Sequence, residues 1–390
     1  FTPQQIHICY GKIPTDVIIM WATVAKGPKM SVQYSFNTKI NDFNIVVADQ
    51  EELKINNEKG VKFLYRAYLK GLKPATVYYY KIISKQNGVS SDLLQFNVPS
   101  TGFDHFQSYM VLADMGPYTH NLQNIVHEAK NNEYTSVFHI GDIAYDLHTG
   151  KGSTGDKFLN NIQLMTAKLP YLVSPGDHEA KYDFTHYRYR FSMPTLSWPM
   201  KTEELYYSFD IGPTHFISLN TEMLFHVFKK DDQLAWLEKD LIAVNKRSKR
   251  PWIIVMGHRA LYSSCDNRKD CLLETPIIKT SLEELFFKYG VDIYFGGHYH
   301  NYERSWPVYK DKVVAQHYKN PKAPVYITIG TLGQEYLPEP IRRPGGQWSA
   351  KTENKECFGV LEIFNSTHLH WKVLAAANNA KIDQIWVIQT

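Results

Sequence analysis

Five short apolar runs in this 390-residue chain each stop at a residue able to ligate a metal, and that restricts the folds open to it. YMVLAD delivers Asp114, SVFHIGD delivers Asp142 and YLVSPGD delivers Asp177. WIIVMGH delivers His258, and VDIYFGGHYH delivers His298 and His300. Short apolar runs closed by Gly read as buried strands ending in tight turns. In open α/β sheets, functional groups gather beyond the carboxyl ends of the strands. Three carboxylates and three imidazoles arriving there together predict a hard-to-borderline metal site. Tyr145, three residues past Asp142, adds a phenolate that favours ferric iron.

Each block taken alone has a plainer reading. A Gly-Asp after a strand is usually a turn, and a lone buried His is more often a hydrogen-bonded core residue than a ligand. The Gly-His-Tyr-His segment is more specific, because alternate residues of an extended segment point to the same side. The conjunction of five strand ends decides for a binuclear metal site.

The same blocks carry a family resemblance. DMG (Asp114–Gly116), GDIAY (Gly141–Tyr145), GDHE (Gly176–Glu179), VMGH (Val255–His258) and GHYH (Gly297–His300) resemble, in order, the five signature blocks of the purple acid phosphatases. Those blocks usually read DxG, GDxxY, GNH(D/E), VxxH and GHxH, so Asp177 stands where Asn is expected. The likeness extends through Tyr187–Pro194, Leu205–Glu222, Gln233–Leu241 and Ala323–Glu335, nearly the whole chain.

The resemblance implies a function and a set of roles. Asp114, Asp142, Tyr145 and His300 would hold Fe³⁺. Asp142, Asp177, His258 and His298 would hold a divalent ion, with Asp142 bridging. Ligand chemistry agrees independently: carboxylate and phenolate oxygens suit the harder ion, and two imidazoles suit Fe²⁺, Zn²⁺ or Mn²⁺. The expected reaction is hydrolysis of small phosphate monoesters by metal-bound hydroxide or water, best in mild acid. His178 is expected to bind phosphate or protonate the leaving group, with Glu179 the candidate partner that orients it. Plant relatives carry a histidine pair in the loop after VxxH, whereas RALYSSCDNRKDC has none. Leaving-group assistance then rests on His178 alone or on Arg259 or Arg268, whose default reading is solvated surface charge. Glu303 and Arg304, which continue the GHYH block, are expected to form a structural ion pair. Two alternatives stay open at this point: a phosphodiesterase or nucleotide pyrophosphatase, or a catalytically weakened binding protein, motivated by Asp177 and the missing histidines.

The first hundred residues differ in kind. IHICY, DVIIMWATV, SVQYSF, NIVVA, VKFLYRAYL, TVYYYKII and LLQFNV are β-branched or aromatic runs at the spacing of a β-sandwich. GLKPATVYYYKI resembles a fibronectin III-like module, and no ligand cluster appears, so a structural cap is expected. From Tyr109 on, strands alternate with helical stretches, among them Asn121–Asn132, Gln233–Val244 and Ser281–Gly290. That alternation predicts βαβ units and a mixed sheet. The expected architecture is an all-β sandwich over residues 1–101, then an α/β mixed-sheet sandwich of metallophosphoesterase type over residues 102–390. Segments Lys181–Met200 and Glu335–Ser349 are expected to rim the cleft.

Composition narrows the remaining classes. A net charge of +4 is mild for this length and argues against a dedicated nucleic-acid surface. No apolar run approaches the roughly twenty residues of a bilayer span. The chain opens at Phe1 without Met or a signal-peptide core, as a cleaved mature form or a trimmed chain would. Four cysteines are too few for a disulfide scaffold. Cys265 and Cys271 are candidates for a short-loop disulfide, the alternative being free thiols. Asn365-Ser-Thr is a candidate N-glycosylation site. Together these favour a secreted, or lysosomal, protein.

Overall fold

The structure is a computed structural model that describes the chain except residues 28, 38–42, 55–61, 85, 87, 226–229, 265–268 and 334–345, and except the side chains of 269–272. The N-terminal part is a sandwich of two four-stranded sheets. One sheet orders Gln4–Tyr10, Val17–Thr23, Lys62–Leu69 and Asp49–Leu53, and the other Asn44–Val47, Ser31–Ser35, Thr76–Ile83 and Leu94–Val98. Every pairing within them is antiparallel. Trp21 stacks on Tyr65 at 5.3 Å in the core between the sheets, which also holds Tyr80 and Phe96. Burying side chains of this size stabilises by about 1.5–3 kcal/mol each. Of the eight strands, Asp49–Leu53 is the one that the apolar pattern does not announce. Its residues DQEEL are held by backbone pairing to Lys62–Leu69.

The second part packs a six-stranded sheet against a seven-stranded one. In the first, Tyr171–Ser174, Ser136–Ile140 and Gln107–Leu112 run parallel, and Cys357–Ile363, His368–Ala375 and Lys381–Ile388 continue antiparallel. In the second, Thr214–Leu219, Trp252–Arg259, Ile293–Gly297 and Val325–Ile329 run parallel. Tyr109, Phe138, Phe209 and Phe216 pack together between the sheets, 4.8–6.4 Å apart. Helices cover the outer faces. Helix Leu122–Asn131 buries Leu122, Ile125, Val126 and Ala129, the face that its sequence periodicity predicts. Helix Lys230–Asn245 buries Leu237, Leu241 and Val244 in the same manner. Helix Lys269–Lys288 is followed by Gly290 at φ 66, a left-handed turn that glycine adopts without steric cost. Strands outweigh helices, and the layers are the mixed-sheet sandwich expected.

The two parts meet through polar and apolar contacts. The fully buried Arg190 donates to Gln5 Oε1 (3.1 Å), Asp156 Oδ1 (3.0 Å) and the Gly152 carbonyl (3.0 Å), and Lys62 pairs with the same Asp156. Tyr80 Oη donates to the Ala167 carbonyl at 2.7 Å. The Lys181–Met200 segment, expected at the cleft rim, packs on the sandwich: Phe191, Met193 and Met200 are buried, and Ser192 meets Arg66 and Cys9. Most of Glu335–Ser349 lies outside the described residues.

Two further expectations meet the structure here. Glu303 and Arg304 do not pair with each other. As neighbours on the strand Tyr302–Ser305 they face opposite ways, Glu303 accepting from Ser264 and Ser349, and Arg304 donating to Asp383. The Cys265–Cys271 pair falls outside the described residues and side chains. Cys9 and Cys357 are free and buried, which pushes each thiol up to about 12.

Candidate metal centre

The parallel strands bring the predicted residues to one rim. Asp114 follows Gln107–Leu112, Asp142 follows Ser136–Ile140, and Asp177 opens a short turn after Tyr171–Ser174. From the facing sheet, His258 lies at the end of one strand and His298 begins the loop after Ile293–Gly297. Asp114, Asp142, Tyr145 and His298 all hold left-handed φ, from 45 to 69. For non-Gly residues that conformation costs on the order of 1 kcal/mol or more each and concentrates at functional sites. Gly141 and Gly297 leave room at the same place: a Cβ on the first would run into the His258 ring, and one on the second into the Asp114 carboxylate.

Two groups of ligating atoms form there. In the first, one atom each from Asp142, Asp177, His258 and His298 lie within 4.8 Å of one another. Asp177 Oδ1 is 3.1 Å from His258 Nε2 and 3.2 Å from His298 Nδ1, and Asp142 Oδ1 is 3.2 Å from His258 Nε2. In the second, His300 Nε2 is 2.7 Å from Tyr145 Oη and 3.6 Å from Asp114 Oδ1. Burial raises the Asp114 carboxyl, and the Asp142 charge adds to that rise, so Asp142 acts on both groups.

The donor set fits cations. His258 Nδ1 is 3.0 Å from the Ile140 carbonyl, to which it can only donate. Its Nε2 therefore faces two carboxylate oxygens. Burial disfavours the imidazolium, but the carboxylates outweigh it and raise the imidazole well above its ordinary value, so the arrangement calls for positive charge, a proton on Nε2 or a bound cation. Burial acts to raise the Asp177 carboxyl, but His258 and His298 outweigh it and hold it well below the usual carboxylate range. Burial pushes the Tyr145 phenol far above its ordinary value, and Asp114 and Asp142 add to this. A phenolate there requires a highly charged cation beside it, as ferric iron would be.

The residues around the ligands differ in part from expectation. Glu179 does not orient the His178 ring. Its carboxylate accepts from the backbone N–H groups of Asp142 (2.9 Å), Ile143 (2.9 Å) and Gly176 (2.8 Å), so it clamps the strained loop that carries the ligands. Burial pushes its carboxyl up to about 8, against those three donors. The group that orients His178 is Asp146, whose Oδ1 accepts from Nδ1 at 3.0 Å. Burial disfavours protonated His178, but the Asp142 and Asp177 charges outweigh it and its pKa rises. Arg259 is no solvated surface charge. It is 7% exposed and forks onto Glu222 at 2.9 and 2.8 Å, with Glu274 against Nη1. Arg268 lies outside the described residues. Neither Asp146 nor the Arg259 carboxylates carry a sequence signal, since the Asp146–His178 and Glu222–Arg259 contacts join residues 32 and 37 positions apart.

Comparison with known proteins identifies the frame. Three family profiles match in order: "Purple acid Phosphatase, N-terminal domain" over residues 3–98, "Calcineurin-like phosphoesterase" over 108–302, and "Iron/zinc purple acid phosphatase-like protein C" over 323–384. Acid phosphatase type 7 of Mus musculus is 33% identical across all of this chain and 91% of its own length. The chain belongs to the purple acid phosphatase family. Fe(3+)-Zn(2+) purple acid phosphatase 12 of Arabidopsis thaliana is a more distant relative, 27% identical over 99% of this chain and 84% of its own length. Among solved structures, a purple acid phosphatase from yellow lupin seeds covers the whole chain and 74% of itself, with a TM-score of 0.88 at 22% identity, which shows the shared fold. The chain is therefore an acid phosphatase, a phosphoesterase with a binuclear metal centre. Among its described residues no helix is long and apolar enough to cross a membrane.

Proposed function

We propose that this chain hydrolyses phosphate monoesters in mild acid, with Asp114, Asp142, Tyr145 and His300 holding Fe³⁺ and Asp142, Asp177, His258 and His298 holding Fe²⁺, Zn²⁺ or Mn²⁺. The observation that carries the reading is the four-residue cluster within 4.8 Å, with the Tyr145–His300–Asp114 group beside it. When bound, such a metal pair acidifies water and neutralises phosphoryl charge. The rest is the work of this chain's own residues. His178 is held by Asp146 at Nδ1, which leaves Nε2 as the atom that donates to a phosphoryl oxygen or to the departing alkoxide. Glu179 holds the Asp142 loop in its strained form, so the bridging carboxylate arrives already oriented. The name of the type 7 relative supports the acid range.

Elemental analysis together with turnover of an aryl phosphate and of its diester tests this. Iron plus one divalent ion per chain and a clear preference for the monoester are expected. Faster diester cleavage would move the reading to a phosphodiesterase, and full metal without turnover would move it to a binding protein. Tyr145→Phe should abolish the visible charge-transfer band of the oxidised protein while leaving some hydrolysis. A colourless iron-loaded parent would remove Tyr145 from the ferric site.

We also propose that residues 1–101 are a structural cap, residues 102–390 carry the chemistry, and the protein is exported. In support of export, the Asn365 sequon sits in a partly exposed turn, where Asn365 Oδ1 accepts from Thr367 and His368. A mass shift on deglycosylation at Asn365 in natively sourced protein is the check.

A further inference from the structure

Asp177 brings a full negative charge to a position where the family block carries a neutral Asn, and a buried cation lies against it. Arg259 Nη2 is 3.5 Å from Asp177 Oδ1, the oxygen that His258 and His298 also face. Its Nη1 is 2.9 Å from His298 Nε2. The guanidinium is fixed in place. Glu222 holds it through two parallel contacts, Thr221 Oγ1 accepts from its backbone N–H at 3.1 Å, and the Phe225 ring lies 5.2 Å from its centre. Tyr294 Oη donates to its carbonyl at 2.6 Å. An arginine stays charged under all relevant conditions, and at this burial the charge is weakly screened.

We infer that Arg259 is a positioning residue whose guanidinium orients Asp177 and offsets the charge that Asp177 adds at the phosphate-binding site. The inference rests on the reading of Asp177 as a ligand of the divalent ion. Without Arg259, the Asp177 carboxylate would act at full strength. It would hold the divalent ion more tightly and repel the phosphate anion. In an Asp177→Asn background there is no such charge to offset, and the guanidinium is left with Glu222, Glu274 and His298 alone. Glu222 serves to keep Arg259 aimed at Asp177, and Glu274 completes its shell.

A double-mutant cycle on the metal-loaded full chain tests this, using Asp177→Asn, Arg259→Gln and the pair. The readouts are inorganic phosphate affinity by calorimetry and divalent-ion release to a chelator by elemental analysis. With Asp177 present, Arg259→Gln should weaken phosphate binding by roughly 10-fold and slow divalent release, a coupling within the range for contacting charges. In the Asp177→Asn background the same change should move each readout several-fold less, the remainder coming from Glu222 and Glu274 left without their cation and from the lost His298 contact. Arg259→Lys keeps the charge but loses the fork onto Glu222, and it runs through the same cycle as a milder probe should Arg259→Gln not fold. Its smaller loss should likewise shrink in the Asp177→Asn background. Equal effects in both backgrounds overturn the inference alone. If Asp177→Asn by itself alters neither divalent release nor phosphate affinity, the ligand reading of Asp177 falls and this inference falls with it.

Discussion

Two sandwiches share this chain, and they differ in strand direction before they differ in anything else. The N-terminal one is antiparallel throughout, so successive strands end at opposite rims and their loops are divided between two ends. The catalytic one sets Gln107–Leu112, Ser136–Ile140 and Tyr171–Ser174 parallel, and faces them with the parallel Thr214–Leu219, Trp252–Arg259 and Ile293–Gly297. All the ligand-bearing strands of a sheet then end on one rim. Reversing a strand of five or six residues would carry its ligand about 17–20 Å away. Among the described residues, the single four-residue ligand cluster lies on the parallel side. Strand direction therefore accounts for why that cluster forms on the parallel sandwich.

The largest expected effect falls on the bridge. Asp142→Ala should release both metal ions and abolish turnover, because in the proposed assignment its carboxylate serves both ions. Elemental analysis of the folded variant measures this. Retention of either ion at full occupancy would separate the two groups and break the picture of a shared rim.

His178→Ala comes next. It should keep both ions and lower turnover by roughly 10²–10⁴-fold. Asp146→Asn should follow in the same direction with a smaller loss, on the order of 10-fold, since it acts only by holding His178 Nδ1. Metal loss in His178→Ala as severe as in Asp142→Ala would make His178 a ligand.

The cap side should respond in stability and not in chemistry. Trp21 is 1% exposed and stacked on Tyr65. Trp21→Ala should cost about 3–5 kcal/mol in denaturant unfolding through the cavity it leaves. Metal content and turnover per folded molecule should stay near wild type. If Trp21→Ala also stripped metal, the contacts of Gln5 and Lys62 with Asp156 and Arg190 would be transmitting more than support.

How much of this was legible in the sequence follows the same divide. The rim could be read because most of the proposed ligands close a local apolar run, so strand end and candidate residue are adjacent in the chain. The face of helix Leu122–Asn131 was legible for a similar reason, a local period. The strand Asp49–Leu53 was not, because backbone pairing alone defines it and its side chains are mostly polar. The Asp146–His178 and Arg259–Glu222 contacts were not legible either, since only the folded loops bring them together. The Glu303–Arg304 pairing was a different kind of error. Their places on consecutive strand positions already forbade it, as side chains alternate across a strand.

The smallest effect expected is a pH dependence at the edge of the catalytic sandwich, away from the ligands. Buried His215 lies between two carboxylates, Asp210 at 2.8 Å from Nδ1 and Asp240 of helix Lys230–Asn245 at 2.8 Å from Nε2. Arg247 also pairs with Asp210, at 2.7 Å. Burial disfavours the imidazolium, but the two carboxylates outweigh it, so the folded-state pKa is raised. The sign follows from linkage. A group with a raised folded pKa contributes stability fully below its unfolded value, about 6.5, and loses it as pH climbs through the folded one. Asp210, held low despite its burial by His215 and Arg247, sets the acid side: its contribution is lost as pH falls below the carboxylate range. The melting temperature should therefore decline from mildly acidic toward alkaline pH by a component that His215→Gln removes. Matched melts of parent and variant across that range decide it. Parallel curves would mean that His215 is neutral in the folded protein, and that the carboxylates flanking it are held by Arg247 and solvent.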